Sequence, residues 1–184
     1  PEFMLRFLIW LLVHSVYRVR PQGLQLLPES GPALLVSNHA SYVDTLLIAS
    51  ASRRPVHFVI DRAFLDVPVL GFLLRQGKAI PLAAADEAPQ PPHAGTETGR
   101  AVQDALAADE LVAVFAPDGA TGNDAATALP PWLAPHMPAQ PAPVLTVRLS
   151  GLQNSAFARG PGTVWQRLAR LRLLKPVGVC IKAA

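Results

Sequence analysis

A chain of 184 residues with 51% hydrophobic content falls near the size of one domain and can bury one core. Its only cysteine, Cys180, excludes an internal disulfide, and no zinc-ligand spacing, P-loop or RNA-binding signature points to a metal or to nucleic acid as a partner. The formal net charge of +3 is mild and permits an anionic membrane surface or an acidic partner.

In chain order, Pro1 to Phe3 precede Met4 and read as a cloning scar. Residues 4–20 read as an N-terminal membrane-associating helix, followed by a body over 21–184. The apolar run from Met4 to Val13 is shorter than the roughly 20 residues that span a bilayer. Phe7 and Trp10, flanked by Arg6, Arg18 and Arg20, suit an interfacial helix with cations at headgroup level. The alternative is an amphipathic helix packed on its own domain. No A-x-A-like cleavage site follows to suggest a signal peptide. Beyond it, short apolar runs alternate with helical stretches. Strands are expected at Ala33 to Ser37, Val56 to Ile60, Lys78 to Pro81, Leu111 to Phe115, Val144 to Leu149 and Val177 to Ile181. Helices are expected at Thr45 to Ala51, Pro68 to Gln76 and Thr98 to Ala107. Two stretches rich in Ala and Pro, Ala83 to Thr96 and Asp118 to Pro143, read as loops. The alternation argues for an α/β fold with a mixed, mostly parallel sheet flanked by helices.

The segment Asn38-His39-Ala40-Ser41-Tyr42-Val43-Asp44 follows the first apolar strand. Imidazole titrates near neutrality, and a carboxylate bonded to one ring nitrogen leaves the other free to accept a proton. His39 and Asp44 are therefore candidates for a general base and its orienting partner. The same residues also fit a capping box, with Ser41 at the helix N-cap and Asp44 reaching back to its N–H. In that reading His39 is a loop residue. The two readings are compatible, since a carboxylate has two oxygens.

Four segments together resemble the glycerolipid acyltransferase family. Residues 38–44 resemble its N-H-x-S-x-x-D block, with the H-x4-D spacing. Residues 66–82, with Pro68 and Gly71, look like the second block. Val114-Phe115-Ala116-Pro117-Asp118-Gly119 is similar to the third, usually F-P-E-G-x-R, and Pro143 to Arg148 matches the fourth more loosely. Tyr17-Arg18-Val19-Arg20 and Thr146 to Leu152, with the Arg-rich segment after it, look like the acyltransferase domain of the bifunctional 2-acylglycerophosphoethanolamine acyltransferase/acyl-acyl carrier protein synthetase family. The synthetase part of that family has no counterpart in the sequence, so a C-terminal truncation is expected.

The resemblance implies acyl transfer from an acyl carrier protein or coenzyme A thioester to the free hydroxyl of a lysophospholipid. The preferred acceptor is 2-acylglycerophosphoethanolamine, and 1-acylglycerol-3-phosphate is the alternative. His39 would take the hydroxyl proton and Asp44 would orient His39. Asn38, Ser41, Asp118 and Gly119 are the block residues implied at the substrate, with Ser41 a cap or hydrogen-bond helper rather than a nucleophile. Ala120 and Thr121 stand where the third block carries Arg, and neither replaces a bidentate phosphate clamp. Arg75, Lys78 and Arg148 are the cations that could compensate, each with a solvated surface charge as the alternative. A catalytically weak lipid- or carrier-binding module is the reading that the altered third and fourth blocks leave open. No cofactor is implied beyond the thioester co-substrate. The expected location is the cytoplasmic face of the inner membrane, peripheral or monotopic.

Arg159, Arg167, Arg170, Arg172 and Lys175 interleave with Trp165, Leu168, Leu171 and Leu173 as a cationic amphipathic segment, suited to anionic headgroups or acidic carrier protein, or to a surface helix with one face in the core. His14, His57, His93 and His136 lack metal-ligand spacing. Trp132 and Pro130 to Pro138 read as an irregular loop, with a lid or acyl-chain wall as the alternative.

Overall fold

The computed structural model describes residues 2–38, 43–66, 68–82, 96–116, 129–130, 132–137, 142–151 and 175–183. Apolar strand runs buried on both faces require helices on both sides, and the chain supplies them. Among the described residues seven strands form one sheet: β1 (Tyr17–Gln22), β2 (Ala33–Ser37), β3 (Val56–Asp61), β4 (Ile80–Leu82), β5 (Leu111–Phe115), β6 (Val144–Ser150) and β7 (Lys175–Ala183). Their spatial order is β1-β7-β6-β2-β5-β3-β4. Every neighbouring pair is parallel except β6 with β7, so β1 and β7 run against the other five. The architecture is the mixed, mostly parallel α/β sheet that the alternation of apolar runs and helices predicts.

Among the described residues four helices cover this sheet: α1 (Glu2–Val16), α2 (Asp44–Ala51), α3 (Pro68–Gln76) and α4 (Thr96–Ala107). Alternate residues of each strand divide into two cores. On one face Leu35, Phe58 and Val147 pack with Ile9 and Val13 of α1, Leu47 of α2 and Leu74 of α3. On the other face Leu34, Val36, Val112 and Val114 pack with Val102 and Leu106 of α4. Fully buried aliphatic side chains of this kind contribute roughly 1.5–3 kcal/mol each.

Three expectations change. The N-terminal helix stops at Val16, and Tyr17 to Arg20 belong to a strand instead of its last turn. Pro21 works against a helix here, because a proline biases the preceding residue away from helical dihedrals and, within a helix, its ring would clash with the carbonyl four residues back, that of Tyr17. An edge strand tolerates its missing N–H, and β1 lies at the sheet edge. Within the expected loop over 118–143, Leu133 is fully buried, Trp132 and Met137 pack on the second core, and Ala134–His136 form a 3-10 turn. That part is a structural layer under α4 rather than a lid. Finally, the expected strand Lys78 to Pro81 begins two residues later, at Ile80. Lys78 takes a left-handed backbone (φ 51°) and its N–H bonds the Arg75 carbonyl, ending α3.

The topology fixes where a site can form. The chain leaves β2 through α2 to β3 on one side, with β5 between them, and returns through β6 on the other side. A crevice at the carboxyl ends of the strands follows from such a reversal.

Candidate active site

The carboxyl end of β2 is anchored from both sides. The Ser37 carbonyl accepts the Ala116 N–H at 2.8 Å, extending the β2–β5 pairing past the end of β5. On the other side, Asn38 Oδ1 accepts the Leu149 N–H at 2.7 Å, and Asn38 Nδ2 donates to the Leu149 carbonyl at 3.3 Å. The Asn38 carboxamide thus occupies both polar groups of one β6 residue. It acts as a brace between strands, a role that the reading of Asn38 as a substrate contact does not include.

Asp44 opens α2 and is 1% exposed. Withdrawing a carboxylate this far from water is costly unless polar groups face it. The N–H groups of a helix's first turn are one such source. The N-cap residue is Val43, whose carbonyl accepts the Leu47 N–H and which makes no side-chain cap bond. The described helix therefore begins three residues after Ser41 and is capped at Val43, not at Ser41 as the capping box expects. Asn38 and Asp44 bracket residues 39–42 between the end of β2 and the start of α2. His39 and Ser41 lie outside the described residues, as do Asp118 and Gly119.

The three candidate cations take separate places. Arg148 sits in β6 beside Leu149, with its exposed side chain on the sheet face opposite Leu149. Arg75 donates to the Leu65 carbonyl at 2.9 Å, bracing α3 to the 3-10 turn Arg62–Asp66. Gly71 allows that approach, since a Cβ there would meet Leu65's carbonyl oxygen at 2.0 Å. Lys78 is at the opposite, amino-terminal edge of the sheet, where its Nζ lies 3.6 Å from Glu110, the residue before β5. The structure does not bring it to the carboxyl end of β2.

A cavity of about 120 Å³ runs beneath α2 on the α1–α3 side of the sheet. Thr45, next to Asp44, lines it together with Leu46, Ala49, Phe58 and Leu74. His57, Lys78 and Glu110 line it as well, at the amino-terminal edge. His57 is 6% exposed and its Nε2 lies 3.3 Å from Glu110. Arg54 closes this edge, donating to the carbonyls of Pro28, Gly31 and Asp109 at 3.0, 2.8 and 2.6 Å. Neither the cavity nor the Arg54 clasp is visible in the sequence, because both join segments far apart in the chain. Among the described residues no three His, Cys, Asp or Glu side chains are grouped to hold a metal ion.

α1 presents two surfaces. Ile9 and Val13 are buried against the sheet layer, while Phe7, Leu8, Trp10 and Leu11 are exposed. The rings of Phe7, Trp10 and His14 stack in sequence, with centroids 6.2 and 4.5 Å apart. Among the described residues no helix is long and apolar enough to cross a membrane.

No curated protein sequence matches the chain. The crystal structure of the 1-acyl-sn-glycerophosphate (LPA) acyltransferase, PlsC, from Thermotoga maritima shares the fold, with a TM-score of 0.63 at 16% identity over 100% of this chain and 71% of that chain. A family model described as Acyltransferase matches residues 18–148, which include the whole Asn38–Asp44 segment. That span is well over half of the sequence and runs from β1 into β6, and on it the chain belongs to the Acyltransferase family.

Proposed function

We propose that the protein transfers a fatty acyl group from an acyl carrier protein or coenzyme A thioester to the free hydroxyl of a lysophospholipid, with 2-acylglycerophosphoethanolamine as the preferred acceptor. The observation that carries this reading is the bracket of Asn38 and a buried Asp44 around residues 39–42, at the carboxyl end of the central strand. In the proposed reaction His39 removes the hydroxyl proton, and Asp44 holds the ring in the tautomer that can accept it. The substrate oxygen attacks the thioester carbonyl, the C–O bond forms, the C–S bond breaks, and the thiol leaves with the proton carried by His39. The nucleophile belongs to the substrate.

Thr45 and the apolar lining of the cavity supply a place for part of an acyl chain next to this centre. The exposed Phe7, Leu8, Trp10 and Leu11 support peripheral attachment to a bilayer, proposed at the cytoplasmic face of the inner membrane, from which a lysophospholipid would be drawn. The preference for the ethanolamine headgroup rests on the Tyr17–Arg20 and Thr146–Leu152 resemblances and on Ala120 and Thr121, which offer no charged clamp for a phosphomonoester. The test is incubation with labelled acyl carrier protein or acyl-coenzyme A and a panel of lysophospholipids. Product on the ethanolamine lysolipid is expected. Product on 1-acylglycerol-3-phosphate alone would replace the acceptor, and no product above the His39→Ala background would leave a lipid- or carrier-binding module.

A further inference from the structure

Charge is segregated along this chain. Every Asp and Glu lies at or before Asp124, whereas residues 125–184 carry seven Lys and Arg and no acid. The structure gathers part of that excess on one surface. In β6, β7 and β1 the residues facing the α1–α2 core are Leu145, Val147, Leu149, Val177, Val179 and Ile181. Their alternates point to the other side of the sheet. The register sets Arg148 beside Cys180, Thr146 beside Lys182, Ser150 beside Gly178, and Gly178 in turn beside Arg20, with Arg18 beside Pro176. Gly178 has Ser150 lying over it, at 2.6 Å from where a Cβ would be. Arg18, Arg20, Arg148 and Lys182 are exposed, and among the described residues no Asp or Glu shares this face.

We infer that this β6–β7–β1 face is the docking surface for the acidic carrier protein that delivers the acyl thioester. The inference rests on the donor named under the proposed function. Strand geometry puts successive cations in the row Arg18, Arg20, Arg148, Lys182 on the order of 7–12 Å apart at their backbone positions, and its two ends roughly 20 Å apart. Acidic residues one helical turn apart are about 6 Å from each other, so an acidic helix face of about four turns spans the same row. A rim of exposed cations steers encounter and sets register more than it contributes lasting affinity, which suits a donor that must leave after each transfer. The face also borders the reaction centre: Arg148 and Ser150 flank Leu149, the residue that Asn38 holds. A carrier seated here has the mouth of the site at its edge. An acidic protein is favoured over the bilayer because the exposed apolar residues belong to α1, which packs on the opposite face of the sheet. One flat membrane cannot serve both faces.

The test compares the wild-type chain with the charge-reversed set Arg18→Glu, Arg20→Glu and Lys182→Glu and with the milder Arg18→Gln, Arg20→Gln pair. Affinity for acyl carrier protein is measured by fluorescence anisotropy at low and high salt. Acyl transfer is measured with acyl carrier protein and with acyl-pantetheine, an uncharged thioester. The expected result is a drop in carrier affinity of tenfold or more for the reversed set and a smaller drop for the pair, with wild-type affinity falling as salt rises. Transfer from acyl-pantetheine should stay within twofold of wild type. Carrier affinity unchanged by both variant sets overturns the inference. So does an equal loss of binding to anionic vesicles, which would make this a lipid-facing surface. If wild type transfers from neither donor, the proposed reaction fails while the affinities still decide the docking face.

Discussion

The side-chain amide of Asn38 bonds both the N–H and the carbonyl of Leu149, 111 residues further along the chain. One side chain thereby fixes the end of β2, where the candidate base follows, against the end of β6. Replacing Asn38 by Ala leaves both Leu149 groups without that partner in a largely buried setting. The expected cost is about 1–3 kcal/mol, or a fall in Tm of roughly 3–10 °C for a chain of this size. Asn38→Asp should not rescue it, because a carboxylate oxygen then faces the Leu149 carbonyl. Thermal denaturation with transfer rates on the same samples checks this, and both should fall for both variants.

Arg54 is bonded to three carbonyls from two segments, Pro28 and Gly31 through one terminal nitrogen and Asp109 through the other, a spread that the planar fork of a guanidinium reaches and the single nitrogen of an ammonium does not. Arg54→Ala should lose about 2 kcal/mol, and Arg54→Lys should recover less than half of it. Because this clasp is at the amino-terminal edge of the sheet, away from Asp44, the rate per folded molecule with short-chain thioesters, which do not reach the Arg54 edge of the cavity, should be unchanged in both. Urea denaturation followed by active-site titration separates the two effects.

Ala49 lines the cavity from α2, one turn beyond Thr45. Ala49→Phe places a ring in space proposed for the acyl chain, at a packing cost of about 1–3 kcal/mol. The long-chain rate should fall at least tenfold while short-chain thioesters keep most of theirs. A chain-length profile of kcat/KM reads the difference, and a uniform fall at every length would separate the cavity from substrate binding.

Phe7 and Leu11 are 51% and 49% exposed. Changing both to Ser removes little from the folded core but removes apolar surface from a membrane contact, where each such side chain is worth roughly 1.5–3 kcal/mol when fully buried. Vesicle sedimentation should show binding weaker by about tenfold or more, with Tm within about 2 °C of wild type.

The strands of the central sheet were legible because both their faces are buried, so Leu111–Phe115 reads as an unbroken apolar run. Pro68 marks the start of α3 in the same local way. β1 was not legible: its residues alternate with arginine and include Pro21, and it becomes a strand only by pairing with β7, which lies more than 150 residues away. At the site, the order of Asn38, His39 and Asp44 was readable, since it is local. The Asn38 brace depends on β6 arriving beside β2, which no spacing reveals. Lys78 illustrates the converse. It stands in a segment resembling a family block, yet the parallel run of the strands carries it to the far edge of the sheet.

The central claim is that His39, oriented by Asp44, is the base for acyl transfer. The most direct measurement is the steady-state rate of lysophospholipid acylation by His39→Ala and Asp44→Asn, with folding verified by circular dichroism. The account predicts that His39→Ala loses about a hundredfold or more and Asp44→Asn at least tenfold, mostly in kcat. A folded His39→Ala protein that retains more than about a tenth of the wild-type rate, a smaller loss than positioned acid–base catalysis supplies, would contradict it.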